Sequence, residues 1–251
     1  MDAWLFPSIF FCIAIFYSSI GFGGGSSYLA LLSIMLTEFY EIRTIALVLN
    51  LVVVSIGTLF FIRNRVFDWR LFWPFILLSV PMAYLGAQLR LSERSFFLIL
   101  GGSLILSAIF MGLQAIKRKE NEKEFSALKR GGLGASIGLL SGVAGIGGGI
   151  FLSPVLNLAG WANPRTVASL ASVFIFFNSA SGLVGLLQSG SFQFDSDVAL
   201  PLLGAVVIGG FLGSYLSNSK FNVHVIRAMT AVLVGYVGLR LVLQHGFGIN
   251  D

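Results

Sequence analysis

Charge is scarce in this sequence. Asp, Glu, Lys and Arg make up 11% of 251 residues, only two histidines and one cysteine occur, and the mean hydropathy is +0.90. A soluble domain carries about twice that share of charge, so a soluble globular protein is excluded. Other absences narrow the chemistry. No cluster of His, Cys, Asp and Glu stands at metal-ligand spacing and no Gly-x-x-x-x-Gly-Lys loop is present, so neither metal nor nucleotide chemistry is supported and no cofactor is expected. No Asp or Glu falls in the middle of an apolar stretch, which leaves no buried carboxylate relay for protons. A membrane-embedded serine hydrolase would need a serine facing a histidine; "GLLSG" around Ser141 has the wrong spacing for a nucleophile motif, so an enzyme is disfavoured. The lone Cys12 can form no intrachain disulfide and, inside an apolar run, is expected to be buried. The net charge of +5 does not point to nucleic acid, because the basic residues sit in short intervals flanking apolar segments. Met1-Asp2-Ala3-Trp4 offers neither a basic region nor a small-residue cleavage site, so the first apolar run is expected to be retained.

What is present is apolar sequence in membrane-sized lengths. Eight blocks run from Trp4 to Leu36, Thr44 to Ile62, Leu71 to Leu89, Ser95 to Ile116, Gly131 to Gly160, Thr166 to Leu187, Val198 to Leu216 and Val223 to Leu243. A bilayer core takes about 20 residues of helix per crossing. The expected fold is therefore an all-α integral membrane protein. Its longest polar interval, "KRKENEKEFSALKR", divides the blocks four and four, giving a first membrane repeat over 1–116, a charged cytoplasmic linker over 117–130 and a second repeat over 131–251. The halves share landmarks in order: "GFGGGSSYLALL" from Gly21 and "GIGGGIFLSPVL" from Gly145, "RTIAL" from Arg43 and "RTVAS" from Arg165, and "YLGAQL" and "FLGSYL" after Pro74 and Pro201. Trp4, Trp69, Trp73 and Trp161 stand near block ends, as interfacial anchors would.

The first block of each half is too long for one crossing and too short for two, with glycines inside it. Glycine costs about 1 kcal/mol in a helix interior, so a cluster breaks a helix cheaply; the freed backbone groups are tolerated at membrane depth only inside protein or along a cavity. A broken or re-entrant segment follows, with half-helices over Ser26 to Leu36 and Ile150 to Leu158. If each first block dips in and returns, each half makes three crossings and the halves are inverted. Arg63, Arg65, Arg70, six basic residues of the linker, Arg165, Lys220 and Arg227 then share one face, twelve in all, against Arg43, Arg90, Arg94 and Arg240. This obeys the positive-inside rule better than a parallel arrangement, whose split is about ten to six.

A helix N-terminus offers unpaired N–H groups and about half a positive charge. Two such ends meeting at a repeat interface suit an anion. The candidate substrate-binding residues are Gly23, Gly24, Gly25, Ser26 and Ser27 in the first half, with Asn50, and Gly147, Gly148 and Gly149 in the second, with Ser169, Ser172 and Asn178. Hydroxyl and amide groups can hold a small oxyanion without a fixed charge in the membrane. Ser55 and Ser181 belong to the same polar set, and Arg43 and Arg165 are candidate entrance charges drawing anions toward opposite faces. His224 and Arg227 open the last block, where snorkelling to the interface is expected, and His245 stands near its end.

The duplicated "GFGGG" and "GIGGGIFLSPVL", each followed by an Arg-Thr-x-Ala helix start, resemble the sulfite exporter TauE/SafE family, also called TSUP, across essentially the whole chain. The second half is the closer match, with Pro154 after Gly147–Gly149; the first half departs, with Ala30 in the place of Pro154 and Asn50 in that of Ser172. The resemblance implies a multi-pass inner-membrane transporter of small sulfur-containing anions such as sulfite, thiosulfate, sulfoacetate or related organosulfonates. Alternating access around the paired glycine ends is the expected mechanism; a passive anion channel is the alternative within transport. Expected partners are the small anionic substrate and the lipid bilayer, with no nucleic acid and with a homodimer compatible with the sequence.

Overall fold

The computed structural model describes residues 4–19, 21–116, 125–216 and 223–248, and every regular element among them is helical. The helices are α1 (Leu5–Ser19), α2 (Gly25–Met35), α3 (Phe39–Arg63), α4 (Trp69–Gln88), α5 (Glu93–Ile116), α6 (Ala127–Ala144), α7 (Gly149–Leu158), α8 (Pro164–Gln188), α9 (Ser196–Leu216) and α10 (Val223–Phe247). Phe39–Arg63, Trp69–Gln88, Glu93–Leu113, Arg165–Gln188 and Ser196–Leu216 are each long and apolar enough to cross a bilayer. Leu59, Trp73, Leu77, Leu85, Ile208 and Phe211 are large, apolar and exposed, while Ser27, Thr44, Ser79 and Ser179 are wholly buried. This is the pattern of a helical protein whose outer solvent is hydrocarbon.

Eight apolar blocks become ten helices because both overlong blocks break at their glycines. Gly24, with φ +82°, precedes α2, and Gly148, with φ +84°, precedes α7; a side chain there would be strained. The chain reverses at each break. The rings of Phe10 and Tyr28 stack with centroids 5.3 Å apart, whereas a straight helix would separate residues 18 apart by about 27 Å. The Tyr17 and Ser27 hydroxyls are hydrogen-bonded at 2.6 Å. A Cβ at Gly148 would likewise lie 3.1 Å from Ile137, eleven residues back. So α1–α2 and α6–α7 are hairpins with glycine tips.

Glycines also set the packing of each hairpin on a long helix. Added Cβ atoms at Gly134, Gly138 and Gly142 of α6 would strike the carbonyls of Phe75, Ser79 and Ala83 on α4, so these helices run parallel with backbones in near contact. Gly209 and Gly213 of α9 meet the carbonyls of Phe11 and Ile15 of α1 in the same parallel sense. In this small-residue packing, close approach of two backbones replaces the hydrophobic drive that lipid removes. The α3 and α8 helices cross antiparallel, with Thr58 3.2 Å from Ser172 and Asn50 3.1 Å from Ser179. Helices α5 and α10 are antiparallel too: Arg94 donates to the Gly246 carbonyl at 3.0 Å, and Gly101 and Gly238 approach each other's carbonyls. Each major pairing has a counterpart five helices on: α1–α9 with α6–α4, α2–α3 with α7–α8, and α2–α10 with α7–α5.

Two sequence expectations differ from the structure. Cys12 is exposed on α1, because the buried stripe of that helix runs through Phe10, Ala14 and Tyr17 and leaves position 12 facing outward. Trp161 is not an outer anchor like Trp4, Trp69 and Trp73; it is 8% exposed and set edge-on against Phe75 at 5.5 Å. Its backbone N–H donates back to the Leu156 carbonyl after the left-handed Gly160, which folds the loop onto α4. Most of the charged interval, residues 117–124, lies outside the described residues, and its end, Ala127–Arg130, is the first turn of α6, capped by Ser126.

Candidate functional site

The two glycine tips meet at one side chain. Asn50 lies on α3 about midway along the helix and is 1% exposed. Its Oδ1 accepts a hydrogen bond from the Gly25 N–H at 3.1 Å, taking one of the orphan donors of the α2 N-terminus. Its Nδ2 donates to the Ile146 carbonyl in the other tip at 3.3 Å and to Ser179 Oγ on α8 at 3.1 Å. A Cβ at Gly23, Gly25 or Gly147 would collide with the Asn50 amide. These three glycines therefore let an amide reach both tips; they do not merely loosen the chain.

Beside Asn50 is a cavity of about 30 Å³ lined by both hairpins, room for about one water molecule. Gly23, Gly24, Gly25 and Ser26 contribute from the first tip, Ile146, Gly149, Ile150, Ser153 and Pro154 from the second, and Tyr17, Met111 and Ile175 complete the wall. Neither α2 nor α7 has a side-chain N-cap from its own capping residue. Pro154 supplies no N–H to the Ile150 carbonyl one turn earlier, so a carbonyl and helix-end amides border the same space. No charged side chain among the described residues lines the cavity. Its chemistry is that of oriented dipoles and neutral donors, suited to a small anion.

The sequence candidates divide accordingly. Gly23, Gly24, Gly25, Ser26, Asn50 and Gly149 line the cavity, and Gly147 and Gly148 form the turn behind it. Ser27 is turned to Tyr17, Ser169 to the Thr166 carbonyl at 2.9 Å, and Ser172 to Thr58. Asn178 donates to Ser79 Oγ at 3.2 Å and to the Phe174 carbonyl at 2.8 Å. Ser55 and Ser181 bond the carbonyls of Leu51 and Val80. These hydrogen bonds lie within a helix or between helices, away from the cavity wall. Arg165 is exposed at the start of α8, but Arg43 is 0% exposed, with its Nη2 on the Gly142 carbonyl at 2.9 Å. It is not a surface charge. His245 stacks on Phe97 at 4.2 Å, away from the tips, and the side chains of His224 and Arg227 lie outside the described residues.

The polar wall residues missed from sequence are Tyr17, Ser153 and, through Asn50, Ser179. Ser153 and Pro154 stand inside the repeated glycine landmark, one turn into α7, where a polar residue beside a helix-interior proline was the available signal. Tyr17 and Ser179 carried none, since only the chain reversal and the α3–α8 crossing bring them in.

The sequence profile of the family described as "Sulfite exporter TauE/SafE" matches residues 6–241. The chain is 32% identical over 244 residues to "Probable membrane transporter protein y4hK" of Sinorhizobium fredii, covering 92% of this chain and 95% of that one. It is 24% identical over 258 residues to "Probable membrane transporter protein YunE" of Bacillus subtilis, covering 92% and 93%. No solved structure matches.

Proposed function

Because this chain belongs to the sulfite exporter TauE/SafE family, we propose that it is a secondary transporter moving a small sulfur-containing anion across the inner membrane by alternating access. Sulfite, thiosulfate, sulfoacetate and related organosulfonates are the substrate class. Family and relatives together indicate a multi-pass membrane transporter; the substrate, site and mechanism are the proposal.

The observation that carries it is the convergence of two broken-helix tips on Asn50 beside a cavity without charged walls. A substrate between the Gly23–Gly25 and Gly147–Gly149 ends would meet two sets of helix-end N–H groups, with Ser26, Ser153 and Tyr17 available to donate or accept. Helix directions support an inverted pair of repeats. Each half holds one hairpin and three long helices, an odd number of crossings, and α3 runs opposite to its counterpart α8, as α5 does to α10. The hairpins then enter from opposite faces, and rocking of one half against the other exposes the tips to each face in turn. The face holding the linker is cytoplasmic on the charge count.

Two measurements test this reading. Purified protein is heated with sulfite, thiosulfate, sulfoacetate, sulfate, taurine and small carboxylates, and native-state binding appears as a raised Tm. The same anions are then followed into proteoliposomes. Stabilisation by sulfur oxyanions with accumulation against a gradient supports the transporter. Flux that only ever runs downhill favours a channel, and flux of carboxylates alone removes the sulfur assignment.

A further inference from the structure

Arg43 is the only charged side chain among the described residues that is buried, and it is buried completely. Its Nη2 donates to the carbonyls of Gly142, at 2.9 Å, and Ala87, at 3.3 Å, and its guanidinium lies 5.7 Å from the centre of the Phe96 ring. Its Nε and Nη1 are sealed from solvent and have no hydrogen-bond partner among the described residues. Withdrawing a cation from water with donors left idle costs several kcal/mol. Ionisable groups inside a membrane protein that bear such a cost mark substrate or ion paths.

The position is specific. Arg43 precedes Asn50 by seven residues, two turns and about 10 Å along the same face of α3. That face looks onto the α6–α7 tip: Asn50 holds the Ile146 carbonyl, Arg43 holds the Gly142 carbonyl, and the Arg43 stem packs against Gly145. Arg43 thus stands beyond the tip, toward the end of α3 that begins at Phe39. There the turn between α8 and α9 closes on the next residue, with Gln193 donating its backbone N–H to the buried Thr44 hydroxyl at 3.3 Å.

The opposite face carries the same Arg-Thr-x-Ala sequence at the start of α8 in a different state. Arg165 is exposed, and Thr166, the counterpart of Thr44, lines a cavity of about 370 Å³ together with Arg130, Trp161 and Asn163. One helix start is shut over its arginine and the other is open.

We infer that Arg43 is the anion-contacting gate residue on the face closed by the α8–α9 turn, and that this structure is the conformer open toward the linker face. The inference rests on the anion-transport reading above and adds to it a gate with its own ligand chemistry. In the closed state Nη2 ties the α6–α7 tip and the end of α4 to α3. An oxyanion arriving from the tips meets Nε and Nη1, and as it binds, Nη2 exchanges the two carbonyls for substrate oxygen. Nε and Nη2 together then present the side-on fork that fits two oxygens of one oxyanion, a fit that a lysine ammonium does not reproduce. Loss of the Gly142 and Ala87 bonds frees the tip to move.

The experiment uses full-length protein in lipid nanodiscs, where both faces are accessible, carrying Cys12→Ser and Thr44→Cys. Labelling by a membrane-impermeant maleimide is timed with and without sulfoacetate, an anion inert to the reagent. Labelling is expected to be slow with Arg43 present and accelerated severalfold by sulfoacetate. Adding Arg43→Gln should make it about tenfold faster without anion and indifferent to it. Equal rates in the Arg43 and Arg43→Gln proteins overturn the gate. If Arg43→Gln does not fold, Arg43→Lys decides. It should keep slow labelling but need about tenfold more sulfoacetate for the acceleration, since the fork is lost; an unchanged half-maximal concentration overturns anion contact. Sulfoacetate flux in proteoliposomes separates the two levels. Flux with labelling indifferent to sulfoacetate removes the gate and spares the transporter. Closure that depends on Arg43, without flux of any sulfur oxyanion, upholds the gate and removes the substrate class.

Discussion

Replacing Asn50 by aspartate tests the anion site with almost no change of shape. The carboxylate can still accept from the Gly25 N–H, so the cap on α2 survives, but the two donations to the Ile146 carbonyl and to Ser179 are lost. Polar contacts between membrane helices are worth about 0.6 kcal/mol each on average, so the stability loss should be about 1 to 2 kcal/mol and the protein should still assemble. The new charge matters more. An anion held between the tips would lie about 5 Å from that carboxylate, and two like charges at that distance repel by about 3 kcal/mol at an effective dielectric constant near 20. That is roughly a 150-fold loss of affinity. Asn50→Ser is the control, because it loses those two donations and the Gly25 bond besides, adds no charge and introduces the residue type that Ser172 supplies at the matching place on α8. Initial rates of sulfoacetate uptake into proteoliposomes give KM for both variants, with Tm and elution profile showing assembly. The aspartate should raise KM at least tenfold above the serine. If the two variants agree within threefold while both are folded, the substrate does not pass beside Asn50, and the site assignment is refuted.

Three further outcomes follow from named contacts. Gly148→Leu forces a side chain onto a residue at φ +84° and against the Phe174 ring, 2.8 Å from the added Cβ; it should abolish uptake while leaving membrane insertion intact, and wild-type uptake in normally inserted protein would remove the second tip from the site. Gly132→Ala meets nothing within 4 Å on α6, whereas Gly138 abuts the Ser79 backbone. The first should hold or raise Tm, by up to about 1 kcal/mol of helix propensity, and Gly138→Leu should prevent assembly of α4 and α6; equal Tm values for the two would refute the close-packed interface. Arg165 is exposed, so Arg165→Gln should raise the apparent KM mainly at low ionic strength, as a steering charge does, and a salt-independent change would argue against steering.

Much of the fold was legible because membrane helices announce themselves by length and because glycine is costly inside one. The half-helices expected at Ser26 to Leu36 and Ile150 to Leu158 are α2 and α7 to within a residue. The direction of the chain after each break was less accessible, since a glycine cluster permits a kink, a straight interruption or a reversal alike; Phe10 stacking on Tyr28 decides it. Asn50 was legible as a polar residue in an apolar block, but its three partners lie 25, 96 and 129 positions away and meet only through tertiary packing. Ser169, Ser172 and Asn178 carried the same signal and turned to a carbonyl of their own helix, to Thr58 of α3 and to Ser79 of α4. Composition gives a serine polarity and not direction. The burial of Arg43 was not legible for a related reason: a basic residue near a block end usually snorkels to the surface, and only the Gly142 and Ala87 carbonyls explain why this one stays inside.

The departures between the halves locate where the site is asymmetric. At matching places the first tip has Ser26 and Ser27 where the second has Ile150 and Phe151, Ala30 where the second has Pro154, and Asn50 where α8 has Ser172. The first half supplies Tyr17, Ser26 and Asn50, whereas the second sets one lining hydroxyl, Ser153, among apolar walls, with a backbone carbonyl exposed by proline. A site made of two identical tips would bind a symmetric ion equally from either direction. A more polar end facing a more apolar one instead favours an anion with a charged head and a short carbon body, held with the head toward Asn50 and Ser26. The same asymmetry recurs in the two arginines, one sealed on the Gly142 carbonyl and one open to its surroundings. A substrate with a head and a tail would therefore meet different partners on entering and on leaving. On that basis a short alkanesulfonate should bind more tightly than an inorganic oxyanion of the same single charge.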